Sequence, residues 1–249
     1  MKKRERQVKL TLTNLLFFRR CSKSYILITS ILLLTSSFPQ ESFANKFLSD
    51  TFVSIVKSTK ASIVNIHTTK ILKDSTQHRG FRIKGQGSGV VYNNQGFIVT
   101  NKHVVKDAGE IIIRLYDGSE YKAEVIGTDE RSGIVVLKID AENLTPARFG
   151  NSDSLELGEI VLAIGNPIGL GQTVTSGIIS AKGTSNLRIT GFEDFVQTDA
   201  TINPDSYGGP LVNMDGKVVG ISTLPPEQTA GYFGISLAIP INVVNKAAE

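Results

Sequence analysis

A chain of 249 residues, 41% of them hydrophobic, is long enough to bury one or two sizeable cores. Its formal charge of +4 is unevenly placed. Of 27 basic and 23 acidic residues, eight and two fall within residues 1–44, leaving 19 and 21, a net of −2, for the remainder. The basic balance belongs to the N-terminal segment, so nucleic-acid binding loses its electrostatic support. The single cysteine, Cys21, lies there too. The remainder has neither a disulfide nor thiol chemistry, which is compatible with an oxidising compartment.

The first 24 residues carry eight Lys or Arg against one Glu, and an apolar run, Tyr25–Leu34, follows. Next come Pro39 and Ser42-Phe43-Ala44, with small residues placed as at a cleavage site. This pattern predicts a secretory signal over residues 1–44, cleaved after Ala44 or retained as a signal anchor. The ten-residue apolar run is shorter than the roughly 20 residues a bilayer span requires. The expected location is therefore the periplasm or cell envelope, with membrane contact only through this segment if it stays uncleaved.

Phe47–Lys60 reads as a helix with Phe52, Val53, Ile55 and Val56 on its apolar face. From Ser62 onward, short runs of Val, Ile, Phe and Thr alternate with Gly and Asn/Asp turns. That spacing favours a sandwich or barrel over a βαβ layout. The predicted strands are Ile63–Thr69, Gly87–Tyr92, Phe97–Thr100, Ile111–Tyr116, Glu120–Asp129 and Ile134–Ile139 in a first half. A second half comprises Ile160–Ile164, Thr173–Ala181, Phe195–Thr198, Pro210–Asn213, Lys217–Thr223 and Gly234–Ile239, with a boundary near Asn143–Ser154. Asn93-Asn94-Gln95-Gly96, Asp117-Gly118 and Asp215-Gly216 signal hairpin turns.

Gln197-Thr-Asp-Ala-Thr-Ile-Asn-Pro-Asp-Ser-Tyr-Gly-Gly-Pro-Leu211 closely resembles the nucleophile loop of HtrA (Deg) trypsin-like serine proteases, Q-T-D-A-x-I-N-P-G-N-S-G-G-P-L. Thr100-Asn-Lys-His-Val-Val105 is similar to the family's T-N-x-H-V-V, and Asp129–Lys138 to its D-x-x-x-D-L-A-V-L-K. Ile164–Gly169, Thr175–Ser180 and Gly234–Pro240 also match, so the resemblance covers Ser49 to Ile241. It implies an all-β fold of two six-stranded barrels, about residues 62–143 and 154–241, in a protease domain spanning 45–249. The family's protease domain is followed by a helix and PDZ domains. The sequence stops at Glu249, so no PDZ domain is expected. Ile71–Lys84 matches the family's oligomer-contacting loop and is short and polar.

Carried over residue by residue, the resemblance places the general base on His103, the orienting carboxylate on Gly133 and the nucleophile on Tyr207. The family's oxyanion hole takes its N–H donors from the Gly and Ser positions, which fall on Asp205 and Tyr207. A triad needs a hydroxyl within reach of an imidazole whose other nitrogen a carboxylate holds, and only His103 matches. In measured proteases, losing the carboxylate costs about 10⁴ in turnover and losing the serine about 10⁶. A phenol with an ordinary pKa near 10 is a weak nucleophile, and its longer side chain would plug the cleft. A side chain at Asp205 is expected to strain a backbone made for glycine and to repel a developing oxyanion.

Two function classes follow. One is a catalytically silent homologue that binds unfolded polypeptide or peptide segments, or assembles with active HtrA-like subunits. The other is an active serine endopeptidase of unfolded envelope proteins, using Ser206 as the nucleophile with His103. A decayed product without function is a third reading. No cofactor or metal is expected, because His67 and His78 show no ligand spacing with a Cys or carboxylate cluster.

N-terminal sequencing of the protein from an envelope fraction is expected to begin at Asn45. A start at Met1 in a soluble cytoplasmic fraction would contradict the targeting reading.

Overall fold

The computed structural model describes residues 43–73, 80–166, 172–184, 194–224 and 234–248. The predicted signal, apart from its last two residues, lies outside them, as do His78 and residues 167–169 of the Ile164–Gly169 motif. The chain divides into compact units Met1–Ser49 and Asp50–Glu249. Of the first, the described residues are the start of helix α1 (Phe43–Thr59). Among described residues no helix is long and apolar enough to cross a membrane. In α1, Ile55 is buried and Phe52 and Val56 pack on the core, as expected, but Val53 is 48% exposed. The helical step of about 100° per residue turns Val53 away from the face that residues 52 and 56 share.

The first sheet orders its strands β5-β4-β1-β2-β3-β7-β6: β1 (Ile63–Lys73), β2 (Gly80–Val91), β3 (Phe97–Asn101), β4 (Glu110–Arg114), β5 (Glu120–Lys122), β6 (Glu124–Asp129) and β7 (Ile134–Lys138). Seven strands replace the expected six because the single strand foreseen at Glu120–Asp129 breaks at Ala123. β5 pairs with β4, β6 pairs with β7, and the Ala123 N–H donates to the Ile111 carbonyl at 2.9 Å. The bend carries one chain segment between the two sheet ends, so the ring is closed through the backbone rather than by a ladder. A register shift between Val125 and Gly127 adds the local twist such a corner needs.

The second sheet is a closed barrel, β10-β13-β12-β11-β8-β9. Its strands are β8 (Ile160–Gly165), β9 (Thr173–Thr184), β10 (Phe195–Thr198), β11 (Pro210–Asn213), β12 (Val218–Thr223) and β13 (Ser236–Pro240). Two elements escaped the sequence pattern: helix α2 (Lys102–Val105), one turn long, and the extent of β1 and β2 into the polar Ile71–Lys84 segment. Helix α3 (Ile241–Ala248) closes the described chain, with Ile241 and Val244 fully buried.

Each barrel fills with branched aliphatic residues. Val64, Ile66, Ile98, Ile113 and Leu137 form one centre, and Val161, Ile179, Val196, Leu211 and Val219 another. A further cluster includes residues of both sheets and both long helices, among them Ile63, Val90, Phe195, Ile239 and Val244. Phe195, 1% exposed, is the largest fully buried side chain among the described residues. Truncating it removes apolar contact and leaves a cavity. Phe195→Ala is expected to destabilise the protein by about 3–5 kcal/mol, read as a lowered urea midpoint with an unchanged slope. A shift below about 1 kcal/mol would mean that the barrels are not packed as described.

Candidate active site

His103 rides on α2, which follows directly from β3. One glycine of β2 lets this helix sit close: a Cβ on Gly87 would lie 2.5 Å from Val104 Cγ1. The Lys102 N–H donates to the Gly133 carbonyl at 2.7 Å. The structure thus brings the expected third triad position next to the helix that bears the imidazole.

Gly133 holds φ +73 at the end of a tight turn from Asp129. The Asp129 carboxylate accepts the Ser132 hydroxyl at 2.6 Å and the N–H groups of Arg131 and Ser132. Chiefly through the Ser132 bond, Asp129 is held below the usual carboxylate range. Asp129 is therefore tied into its own turn, and Glu130, one residue nearer to Gly133, pairs with Lys102.

Tyr207 meets His103 edge to face, with ring centroids 5.4 Å apart and an interplanar angle of 80°. Its side chain is 8% exposed and belongs to the core cluster of the first barrel. Burial pushes the phenol pKa up from 10.0, away from the phenolate a nucleophile would need. His103 is exposed as a residue, yet packing around its ring lowers its pKa from 6.5 to about 4. Burial is the cause, and no carboxylate opposes it. Among the described residues no side-chain hydrogen bond joins His103 to Ser206. A Cβ on Gly165 would fall 2.2 Å from Ser206 Oγ, so that hydroxyl lies against the end of β8.

The loop between β10 and β11 is wound into a 3-10 turn at Pro204–Ser206. The Ser206 N–H donates to the Asn203 carbonyl at 2.8 Å, and the Tyr207 N–H donates to the Pro204 carbonyl at 3.1 Å. The second of these is the donor an oxyanion hole would require, and it is engaged within the turn. The strain expected at Asp205 is absent, because its φ is not in the left-handed region. The turn has closed instead. Gly208 does need glycine: its φ is +85 and a Cβ would lie 2.2 Å from the Ser88 carbonyl oxygen.

Ser88 is the residue that sequence reasoning missed. Its N–H donates to the Tyr207 carbonyl at 2.8 Å and its hydroxyl to the Asp205 carbonyl at 3.0 Å. The same hydroxyl accepts from the Asn166 N–H at 3.0 Å, and the Ser88 carbonyl accepts from Thr100 Oγ1 at 2.8 Å. Beside it, fully buried Asn65 donates to the Asn166 carbonyl. The signal was the run Gly85-Gln-Gly-Ser-Gly89, since glycines within a strand mark close backbone approach. Among the described residues, no three His, Cys, Asp or Glu gather as metal ligands.

A trypsin-like peptidase domain model matches residues 87–221, just over half of the chain. A probable periplasmic serine endoprotease DegP-like of Chlamydia muridarum is 52% identical over 155 residues, 62% of this chain and 31% of that protein. Its namesake in Pseudomonas fulva is 50% identical over 163 residues, 66% of this chain and 34% of that protein. The chain spans about a third of the length of these curated relatives. Among solved structures, the HtrA-type protease AlgW with a decapeptide superposes with a TM-score of 0.70 at 38% identity, covering 78% of this chain and 65% of that one. A serine-to-alanine variant of AlgW with a decapeptide reaches 0.74 at 37%, covering 78% and 64%.

The His103 pKa fixes a pH dependence. A group whose pKa is about 4 folded and 6.5 unfolded binds more protons when unfolded, so its contribution to stability is complete above pH 6.5 and lost as pH falls toward 4. In NMR, the His103 ring is expected to titrate near 4. A midpoint above 6 would contradict the packing described.

Proposed function

The chain belongs to the trypsin-like peptidase family and is similar to its HtrA- and DegP-like members, and from this premise we propose that it is an exported homologue that holds polypeptide in its cleft without cutting it. The observation that carries the reading is Tyr207. A ring occupies the nucleophile position, packed edge-on against His103, while its own N–H is donated to Pro204. Nucleophile, orientation and oxyanion donor are then impaired together. Gly133 supplies no carboxylate to hold the imidazole, and a neutral imidazole at ordinary pH has no hydroxyl to activate.

Polypeptide as ligand is supported by the AlgW complexes with peptides. Export to the periplasm or cell envelope is supported by the relatives' names as periplasmic endoproteases and by the basic and apolar N-terminal segments. Assembly with active HtrA-like subunits is a second use of the same fold. The His103 side chain remains as a surface of the cleft rather than as a base.

The protein is expected to leave casein uncut and to escape fluorophosphonate labelling. Tyr207→Ser alone is expected to restore little, because triad members act as a unit. Recovery is expected from Tyr207→Ser, Gly133→Asp, Asp205→Gly and Ser206→Asn together. Aspartate at φ +73 costs on the order of 1 kcal/mol, so the repaired enzyme is expected to be less stable than the parent. Wild-type cleavage abolished by Ser206→Ala would overturn this reading in favour of an endopeptidase using Ser206 with His103.

A further inference from the structure

On the outer face of the first barrel lies a groove of about 430 Å³ whose lining includes His67, Lys84, Gln86, Ile112, Glu120 and Asp205. The ladders fix the order of its charges. Ser88 pairs with Asn65, Asn65 with Arg114, and Arg114 with Glu120, so these four form one row across β2, β1, β4 and β5. Asp205 is tied to that row by its carbonyl's hydrogen bond from Ser88. Gln86, His67 and Ile112 make the next row. Lys84 stands in the row beyond, four residues along β2 from Ser88, or about 13 Å.

The groove therefore has Asp205 and Glu120 at one end and Lys84 at the other, with Glu110 sharing Lys84's row through Thr69 and Lys122 opposite Ile112 in the row between. Asp205, Glu120 and Lys84 take part in no ion pair among the described residues. Arg114, the cross-strand neighbour of Glu120, has its guanidinium near the turn at Gly118, where a Cβ would lie 4.0 Å from its Nη2. Between the ends, Ile112 offers an apolar floor and Gln86 and Thr69 offer hydrogen bonds. Asp205 belongs to the same short loop as Tyr207, so a chain lying in the cleft passes this end of the groove. Two carboxylates without partners beside a polypeptide's path suit a cationic side chain.

We propose that this groove is a specificity subsite: it selects extended polypeptide segments that place a lysine or arginine at the Asp205–Glu120 end. The inference rests on the peptide-binding reading above and names the kind of segment held there. Asp205, where the resembling loop has glycine, gives this chain a preference that a glycine-bearing loop lacks.

The test is fluorescence anisotropy at low ionic strength with three labelled unstructured peptides that differ at one central position: arginine, glutamine or glutamate. The intact protein is expected to bind the arginine peptide about fivefold to tenfold tighter than the glutamine peptide, as two partly exposed charge pairs allow. The glutamate peptide is expected to bind weakest, and added salt to narrow the range. Asp205→Asn with Glu120→Gln is expected to make the arginine and glutamine peptides bind equally, with circular dichroism verifying the fold. Lys84→Gln is expected to keep the arginine preference. Equal binding of all three peptides by the intact protein would overturn the subsite and leave peptide binding standing. A preference that survives the double variant would do the same. No binding of any peptide would overturn both.

Discussion

The structure depends on one serine in the seam between the barrels. Ser88 is fully buried, and three of its polar atoms are used: the N–H toward Tyr207, the carbonyl toward Thr100, and a hydroxyl bridging Asn166 and Asp205. Both carbonyls of the central loop that face the first barrel end on this residue. A buried polar group without a partner costs about 1–3 kcal/mol, so each of these bonds limits where the loop can lie. The glycines beside it act sterically to the same end. Gly87 admits Val104 of the helix that carries His103, and Gly208 brings the loop backbone against the Ser88 carbonyl.

Held at these points, the loop accepts side chains foreign to the pattern it resembles without losing its course. Asp205 adopts ordinary dihedrals inside a 3-10 turn, and Tyr207 turns its ring into the first barrel's core. The ring gains apolar burial there, and a large buried aromatic contributes on the order of 2–3 kcal/mol by its area. Tyr207 thus adds packing to the fold. Chemistry and stability are separable in this architecture, because catalytic groups sit at strand ends and turns while the barrels are filled by other residues.

The imidazole illustrates what a missing carboxylate does. In a working triad the acid holds the ring and stabilises its charged form. Around His103 only burial acts, and it favours the neutral ring. Asp129 does not act on the ring, since Ser132 and two N–H groups already use its oxygens.

What the sequence determined by itself was the all-β class and eleven of twelve strand positions. Period-two alternation, turn residues and contiguous motifs are local signals, readable one segment at a time. Tertiary structure decided the rest. The bend at Ala123 depends on two different neighbours competing for one strand, and no local pattern records them. The face of α1 that excludes Val53 is set by which barrel residues it meets. The role of Ser88 depends on carbonyls more than 110 residues away in sequence. Whether the Tyr207 N–H is free depends on backbone angles that Pro204 and Asp205 share. Such long-range contacts follow from packing two barrels together, and only the folded chain places them.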